Sequence, residues 1–519
     1  MEDIIIRGGC IYDGTGSEGY LGDIAIKDGI ITAMGKLSHL SAKEELCAHG
    51  LAVAPGFIDS HAHSDVGFLS DDSYASKLYQ GITTEISGQC GGSPFPAADA
   101  DSINPWSSFD AFTHAFSAGG YAMGTNQAML VGHGTLRTAV LGYEDRPATR
   151  HELNQMKSLL RRDLQSGAFG MSLGLEYSPG FFAPMEELCE LSKVVKEFDG
   201  LIPCHMRNEG EAIFSAMDEL ITIGKVSGAR VHISHIKLDR HTVHGNANKV
   251  WQHILDARKN GVQISADVYP FTASCTTLSI RCPNWSLEGG EEGLMSHLRG
   301  ERRNEVIEGI RSHYFNAERA ETCLISDDKG YWPEIVGKTL RFVAEEMLFT
   351  TDYAAAAAEI LLRTHGKAYC IFFVMDEKDM LYFLQQDIGI GSDGYALTGD
   401  RQKLGSNPHP RSYGTMPEFF RLRREHNFCT LSEAIRRVTQ KPAQMIGLKD
   451  RGILKPGMVA DVTVFDPDTI APRSTYLAPV ALSTGVEHVI IGGGIALKNG
   501  KQTELRLGKF LKKTGARHG

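Results

Sequence analysis

A chain of 519 residues is too long for one ordinary hydrophobic core and calls for a large barrel or about two to three domains. Hydrophobic residues make up 42%, charged residues 22%, and the mean hydropathy is −0.18, the balance of a soluble globular enzyme; no stretch nears the roughly 18 apolar residues of a membrane span. The net charge of −10 provides no general basic field, which argues against nucleic acid as a partner and leaves a small molecule.

The N-terminal MEDIIIRGGC carries acidic residues where a secretory signal needs positive charge, and ten cysteines are scattered singly with no CxxC pair. Both features predict a cytoplasmic protein with reduced thiols. The sequence leaves monomer and dimer open.

Residues 1–54 read as short strands broken by Gly and Asp turns, with Lys27-Asp28-Gly29 as a hairpin signal. The same texture returns over 452–519, down to a second hairpin signal at Lys498-Asn499-Gly500. The two ends together predict one small β-sandwich domain. Between them, over 55–451, apolar strands alternate with amphipathic helices such as MEELCELSKVVKEF, the pattern of a parallel sheet covered by helices. No repeat of about 20–50 residues interrupts it.

Eight strand-like stretches begin the successive βα units: VAPGFIDSHAH, ITTEISGQC, NQAMLVGH, GAFGMSLGLEY, LIPCHM, RVHISHIK, VQISADVYP and IGIGSDG. The predicted fold class is therefore α/β, a (β/α)8 TIM-like barrel with the β-sandwich of the termini attached. Chemistry in such barrels sits at the C-terminal strand ends. The stretch from about 271 to 385 is too long for a βα connection and predicts an inserted, lid-like segment.

His61 and His63 close the first strand, and their i, i+2 spacing puts both imidazoles on one strand face. His205 ends the fifth strand, His235 the sixth, and Asp393 the eighth, so five metal-competent groups gather at one end of one barrel. Imidazole and carboxylate are usual zinc ligands, and a catalytic zinc keeps one position open for water. Asp393 taken alone would also suit a helix N-cap. In this company it is the predicted general base and acid: it takes a proton from a metal-activated water and returns it to the leaving amine. His39, His49, His114, His241, His244 and His488 have no strand-end partner and read as surface residues, while His133 either orients another group or fills the barrel mouth.

The run PGFIDSHAH, followed by His after strands five and six and Asp after strand eight, resembles the amidohydrolase superfamily of metal-dependent hydrolases. Many of its members carry a carboxylated lysine after strand four, yet GAFGMSLGLEYSPG contains no lysine. The chain is more narrowly similar to the N-acyl-D-amino-acid deacylases at SGQCGG, LVGH, SLGLEYSPGFFAPMEEL, CHMRNEG, SHIK, DVYPF and the His409-Pro410-Arg411 run. That resemblance implies a tight zinc site at Cys90, His205 and His235 and a second, weaker site at His61, His63 and Asp393. A thiolate is a strong zinc ligand, which suits Cys90. The resemblance also assigns Tyr177, Lys237, Tyr269 and Arg411 to substrate contacts, with cations to hold the α-carboxylate of the substrate. Thr272-Ala273-Ser274-Cys275 departs from the pattern, placing cysteine where relatives have a hydroxyl. Phe181 and Phe182 hint at an apolar wall. The expected reaction is hydrolysis of N-acyl-D-amino acids to a carboxylate and a D-amino acid. Hydrolysis of a cyclic amide or of a D-residue-containing dipeptide, and a scaffold that has lost its metal, are the alternatives.

Overall fold

The computed structural model describes residues 1–97, 105–314 and 316–513. Among these, the chain ends share one nine-stranded sheet, in which the late strand Val462–Phe465 pairs antiparallel with the early strand Ala52–Pro55. Ile4, Ile24, Ile26, Val462 and Ile490 pack its own apolar cluster. Both expected hairpins are present, and each puts two successive residues at positive φ: Asp28 (52°) with Gly29 (78°), and Asn499 (49°) with Gly500 (67°). That is the backbone a two-residue hairpin turn demands.

The sequence predicts a sandwich; among the described residues the strands of the two chain ends pair as a single sheet. The strand Glu2–Ile11 changes neighbour at the irregularity between Ile6 and Gly9, pairing Ala42–Cys47 along its first half and Ala52–Pro55 along its second. Gly8 lies within this irregularity at φ 67°, where a Cβ would lie 2.1 Å from the His49 ring.

All eight expected parallel strands occur in order, labelled here β1 (Phe57–Asp59), β2 (Ile82–Ser87), β3 (Asn126–Met129), β4 (Met171–Gly174), β5 (Leu201–His205), β6 (Arg230–Ile233), β7 (Ile264–Val268) and β8 (Gly389–Ile390). Their hydrogen bonds form two parallel sheets rather than one continuous ladder. The first runs through β1, β2 and β3 with Phe510–Leu511 at its edge; the second starts at Val131–Gly132, the extension of β3, and runs through β4 to β8. Past the ends of β1 and β8 the chain segments meet through the bridge Ala62↔Gly394 and the backbone bonds Asp393 N–H to His61 O (2.7 Å) and His63 N–H to Gly394 O (3.0 Å). A two-residue β8 is too short for a longer ladder, so its contact with β1 is made by the residues just beyond the strands.

The strands are buried on both faces because helices cover them; every residue of β2 is buried, its polar Thr83, Thr84, Glu85 and Ser87 included. The helix Arg150–Gln165 shows how sequence sets the covering layer: Thr149 and Glu152 form a reciprocal capping box, and Met156, Leu160 and Leu164 line its buried face. Inside the predicted insertion, Ser274–Thr277, Tyr369–Phe372 and Cys323–Asp327 make a three-stranded antiparallel sheet with a separate core that includes Leu294, Val306, Ile325 and Ala357. Ser326 fastens this unit to the loop after β8, through Asn407 N–H to Ser326 O (2.7 Å) and Ser326 Oγ to Asn407 O (2.8 Å). One histidine departs from its expectation: His488 is buried, and its Nδ1 accepts the N–H of Asn499 at 3.2 Å. The hairpin turn at Asn499 supplies the partner that sequence spacing does not reveal.

Candidate metal centre

The loop after β2 brings Cys90 to the strand ends by a route only glycine permits. A Cβ on Gly88 (φ 77°) would sit 2.3 Å from Leu130 O, and one on Gly91 (φ 76°) 2.8 Å from Gly174 N. Cys90 itself takes φ 52°, His235 37° and Asp393 50°, so three of the six predicted metal ligands stand in the left-handed region. Such conformations cost on the order of 1–3 kcal/mol each and persist where the surroundings impose them. The consequence here is that three donors from three strands are turned toward one point.

Cys90 Sγ lies 3.3 Å from His61 Nε2, 3.4 Å from His235 Nε2 and 3.8 Å from His205 Nδ1. His205 Nδ1 and His235 Nε2 are 3.0 Å apart. Asp393 Oδ1 is 3.6 Å from His61 Nε2 and 3.0 Å from His63 Nε2. Donor atoms of His61, Cys90, His235 and Asp393 all lie within 4.8 Å of one another, and those of His205, Glu209 and His235 form a second such group. The six predicted ligands are thus one continuous cluster joined through His235 and Cys90, with His63 attached by way of Asp393. The division into a tight and a weak site does not appear as a gap in space. One sulfur, imidazole nitrogens and a carboxylate oxygen within this radius are the donor set zinc prefers, so the residues present fit the metal.

Electrostatics agree with that fit. Burial, aided by the neighbouring His235, pushes the His61 imidazole well below its ordinary value, and burial and Lys237 lower His235, keeping both available as neutral ligands. Burial raises the Cys90 thiol well above its usual range, the state expected of a buried sulfur whose ionisation a bound cation would favour. Burial also opposes ionisation of Asp393, yet the Arg411 guanidinium and the surrounding imidazoles hold its carboxyl well below the usual range.

The predicted substrate residues surround this cluster, though two are engaged within the protein. Arg411 Nη1 is 2.7 Å from Asp393 Oδ2, and its Nη2 donates to Cys275 O at 3.1 Å. Lys237 Nζ reaches both oxygens of Glu209, at 2.7 and 2.6 Å. The Tyr269 ring lies beneath both cations, 5.1 Å from Arg411 Cζ and 5.8 Å from Lys237 Nζ. Tyr177 packs its ring 4.7 Å from His205 and accepts a hydrogen bond from Thr276 at 3.1 Å. Cys275, the residue that departs from the hydroxyl of the relatives, lines a cavity of about 200 Å³ together with Arg411, His409, Tyr369 and Tyr395. Phe181 and Phe182 pack on each other, and Arg207 covers Phe181 at 5.5 Å. His133 pairs with Glu187 at 2.8 Å and touches no predicted ligand.

Sequence reasoning missed two carboxylates. Glu176 Oε2 accepts from His205 Nε2 at 2.8 Å, and Glu209 sits between Lys237, His235 and His205. Their signal was position: Glu209 follows His205 by four residues, and Glu176 directly precedes Tyr177.

The model of the amidohydrolase family matches residues 44–206 and 395–496. An N-acyl-D-glutamate deacylase of Alcaligenes xylosoxydans xylosoxydans is 32% identical over 95% of this chain and 93% of its own length. A D-aminoacylase of the same organism is 30% identical over 99% of this chain and 98% of its own. The crystal structure of N-acyl-D-glutamate deacylase from Bordetella bronchiseptica, complexed with zinc and a phosphonate inhibitor, superposes with a TM-score of 0.83 at 31% identity, covering 98% of this chain and 99% of that one. The strand-end cluster, the missing strand-four lysine and these likenesses agree: the chain belongs to the amidohydrolase family, in its N-acyl-D-amino-acid deacylase branch.

Proposed function

We propose that the protein hydrolyses the amide bond of N-acyl-D-amino acids, releasing a carboxylate such as acetate and a D-amino acid. In this reading the two parallel sheets act as one (β/α)8 barrel around the cluster. The observation that carries it is the meeting of Cys90 with His61, His205, His235 and Asp393 at the strand ends, with no lysine in β4. His61, His63, Cys90, His205, His235 and Asp393 would hold zinc, which when bound polarises the amide carbonyl and lowers the pKa of a water to about 7.

The remaining work falls to the side chains. Asp393 Oδ1 takes the proton of the attacking water and returns it to the amine nitrogen as the bond breaks. Arg411 offers a guanidinium fork to the α-carboxylate of the substrate, and Tyr269 and Tyr177 flank the site with rings and hydroxyls. No carboxylated lysine is available, which disfavours the hydantoinase-like reaction on cyclic amides.

An acidic substrate side chain is favoured by Arg281. The residue is 6% exposed, and its guanidinium has no hydrogen bond or ion pair among the described residues and stacks over Phe372 at 4.5 Å. It lines a cavity of about 310 Å³ with Asp239, Arg240 and His313, and it feels the charges of Asp239 and Glu176. A buried, uncommitted guanidinium is a natural donor to a carboxylate, and N-acyl-D-glutamate and N-acyl-D-aspartate deacylases are among the relatives.

The test is a hydrolysis panel of paired D and L N-acetyl amino acids with acidic and apolar side chains, a D-residue-containing dipeptide and a hydantoin. Turnover of D substrates, fastest for D-Glu or D-Asp, is expected. Faster turnover of L isomers or of the hydantoin would overturn the reading.

A further inference from the structure

We propose that Glu209 is a positioning residue for the metal, the group that fixes His235 in its ligating orientation and neutralises Lys237 beside it. The inference rests on the reading that His205 and His235 hold zinc. Glu209 is 4% exposed and stands behind both imidazoles, 3.3 Å from His235 Nδ1 and 3.7 Å from His205 Nε2. The opposite nitrogens of those rings, His235 Nε2 and His205 Nδ1, are the ones that face Cys90 Sγ.

An imidazole that gives one nitrogen to a metal keeps its proton on the other, and that buried N–H needs an acceptor. For His205 the acceptor is Glu176, at 2.8 Å from Nε2. For His235 two groups are near. Lys237 Nζ is closer, at 2.7 Å, but an ammonium has only donors and cannot take the N–H. Glu209 Oε1 is the acceptor within reach, and Lys237 Nζ lies within 2.7 Å of both Glu209 oxygens. Glu209 therefore answers two needs with one carboxylate. Without it, the 3% exposed Lys237 would be an uncompensated cation against a metal-holding imidazole.

The experiment measures zinc affinity by competition with a chromophoric chelator, for the full-length wild type, Glu209→Gln and the pair Glu209→Gln with Lys237→Met. Glu209→Gln should weaken zinc binding about 10- to 100-fold, the usual effect of removing a carboxylate behind a metal-bound histidine. Its metal-free circular dichroism should match the wild type even where the unpaired Lys237 lowers its melting temperature, so that zinc affinity is read on folded protein and positioning is separated from folding. Adding Lys237→Met should recover part of the loss, because it removes the unpaired cation. Affinity within twofold of wild type for Glu209→Gln would overturn the proposal. If Glu209→Gln does not fold, Glu209→Asp is measured instead: its withdrawn carboxylate should give a smaller loss, and wild-type affinity there would overturn the proposal. A wild type that binds no zinc overturns this inference together with the metal reading. A zinc-binding wild type that shows the loss but hydrolyses no N-acyl-D-amino acid supports the inference and sinks only the proposed activity.

Discussion

Two clusters of buried charge sit close together at the β1 and β8 end of the strands, and they are built on opposite principles. Around Lys77 everything is paired: Nζ meets Asp59 Oδ2 at 2.8 Å, Glu85 Oε2 at 3.2 Å and Ser392 Oγ at 3.0 Å. Asp59 also takes the Ser392 N–H at 2.7 Å, and Glu85 takes Thr125 Oγ1 at 2.6 Å and Gln127 Nε2 at 2.9 Å. At the strand ends, in contrast, imidazole nitrogens and a thiol face each other at 3.0–3.8 Å, on backbone turned to positive φ. A satisfied network fixes structure, whereas donors crowded onto one another need a further group to reconcile them. The two clusters are joined in sequence, since Ser392 binds Asp59 and the next residue is Asp393. The paired cluster thus anchors the backbone next to Asp393.

The largest expected effect breaks the functional side of that contrast. Asp393→Asn should lower kcat for a D substrate by about 10²- to 10⁴-fold on protein that still folds; a small change in steady-state kinetics would remove Asp393 from the proton path. Lys77→Met should do the reverse, leaving two buried carboxylates without a counter-charge and costing about 3–5 kcal/mol in denaturant unfolding. A loss well under that would mean water reaches the cluster. Arg281→Ala sharpens the substrate side: kcat/KM for N-acetyl-D-glutamate should fall by the worth of a charged hydrogen bond, about 1.5–3 kcal/mol, with N-acetyl-D-leucine spared. Equal losses on both substrates would assign Arg281 to packing. Smallest of all, Thr149→Ala removes one helix cap far from the site and should cost about 1 kcal/mol with kinetics unchanged.

Local signals made much of this legible beforehand. The eight parallel strands, both hairpin turns at Asp28-Gly29 and Asn499-Gly500, and the separate insertion follow from patterns a few residues long. The candidate ligands could be grouped because strand ends are marked by position, and Cys90 stood out among glycines. What escaped depends on partners far along the chain. Lys237 and Arg411 read as cations for a substrate, yet each already holds a carboxylate, Glu209 and Asp393, contributed by another strand end. Glu209 and Glu176 look like ordinary loop acids until the fold places them behind His235 and His205. Lys77, in a short helix, shows no sign in sequence of its full burial between Asp59 and Glu85. That β1 and β8 form no ladder among the described residues likewise follows from how few residues of β8 pair, which periodicity does not report.

The most direct test of the account is hydrolysis of N-acetyl-D-glutamate by the protein before metal stripping, after exhaustive chelation, and after zinc is returned. The account predicts activity that disappears with the metal and comes back with zinc in proportion to the zinc bound. Undiminished hydrolysis by the stripped protein would contradict it.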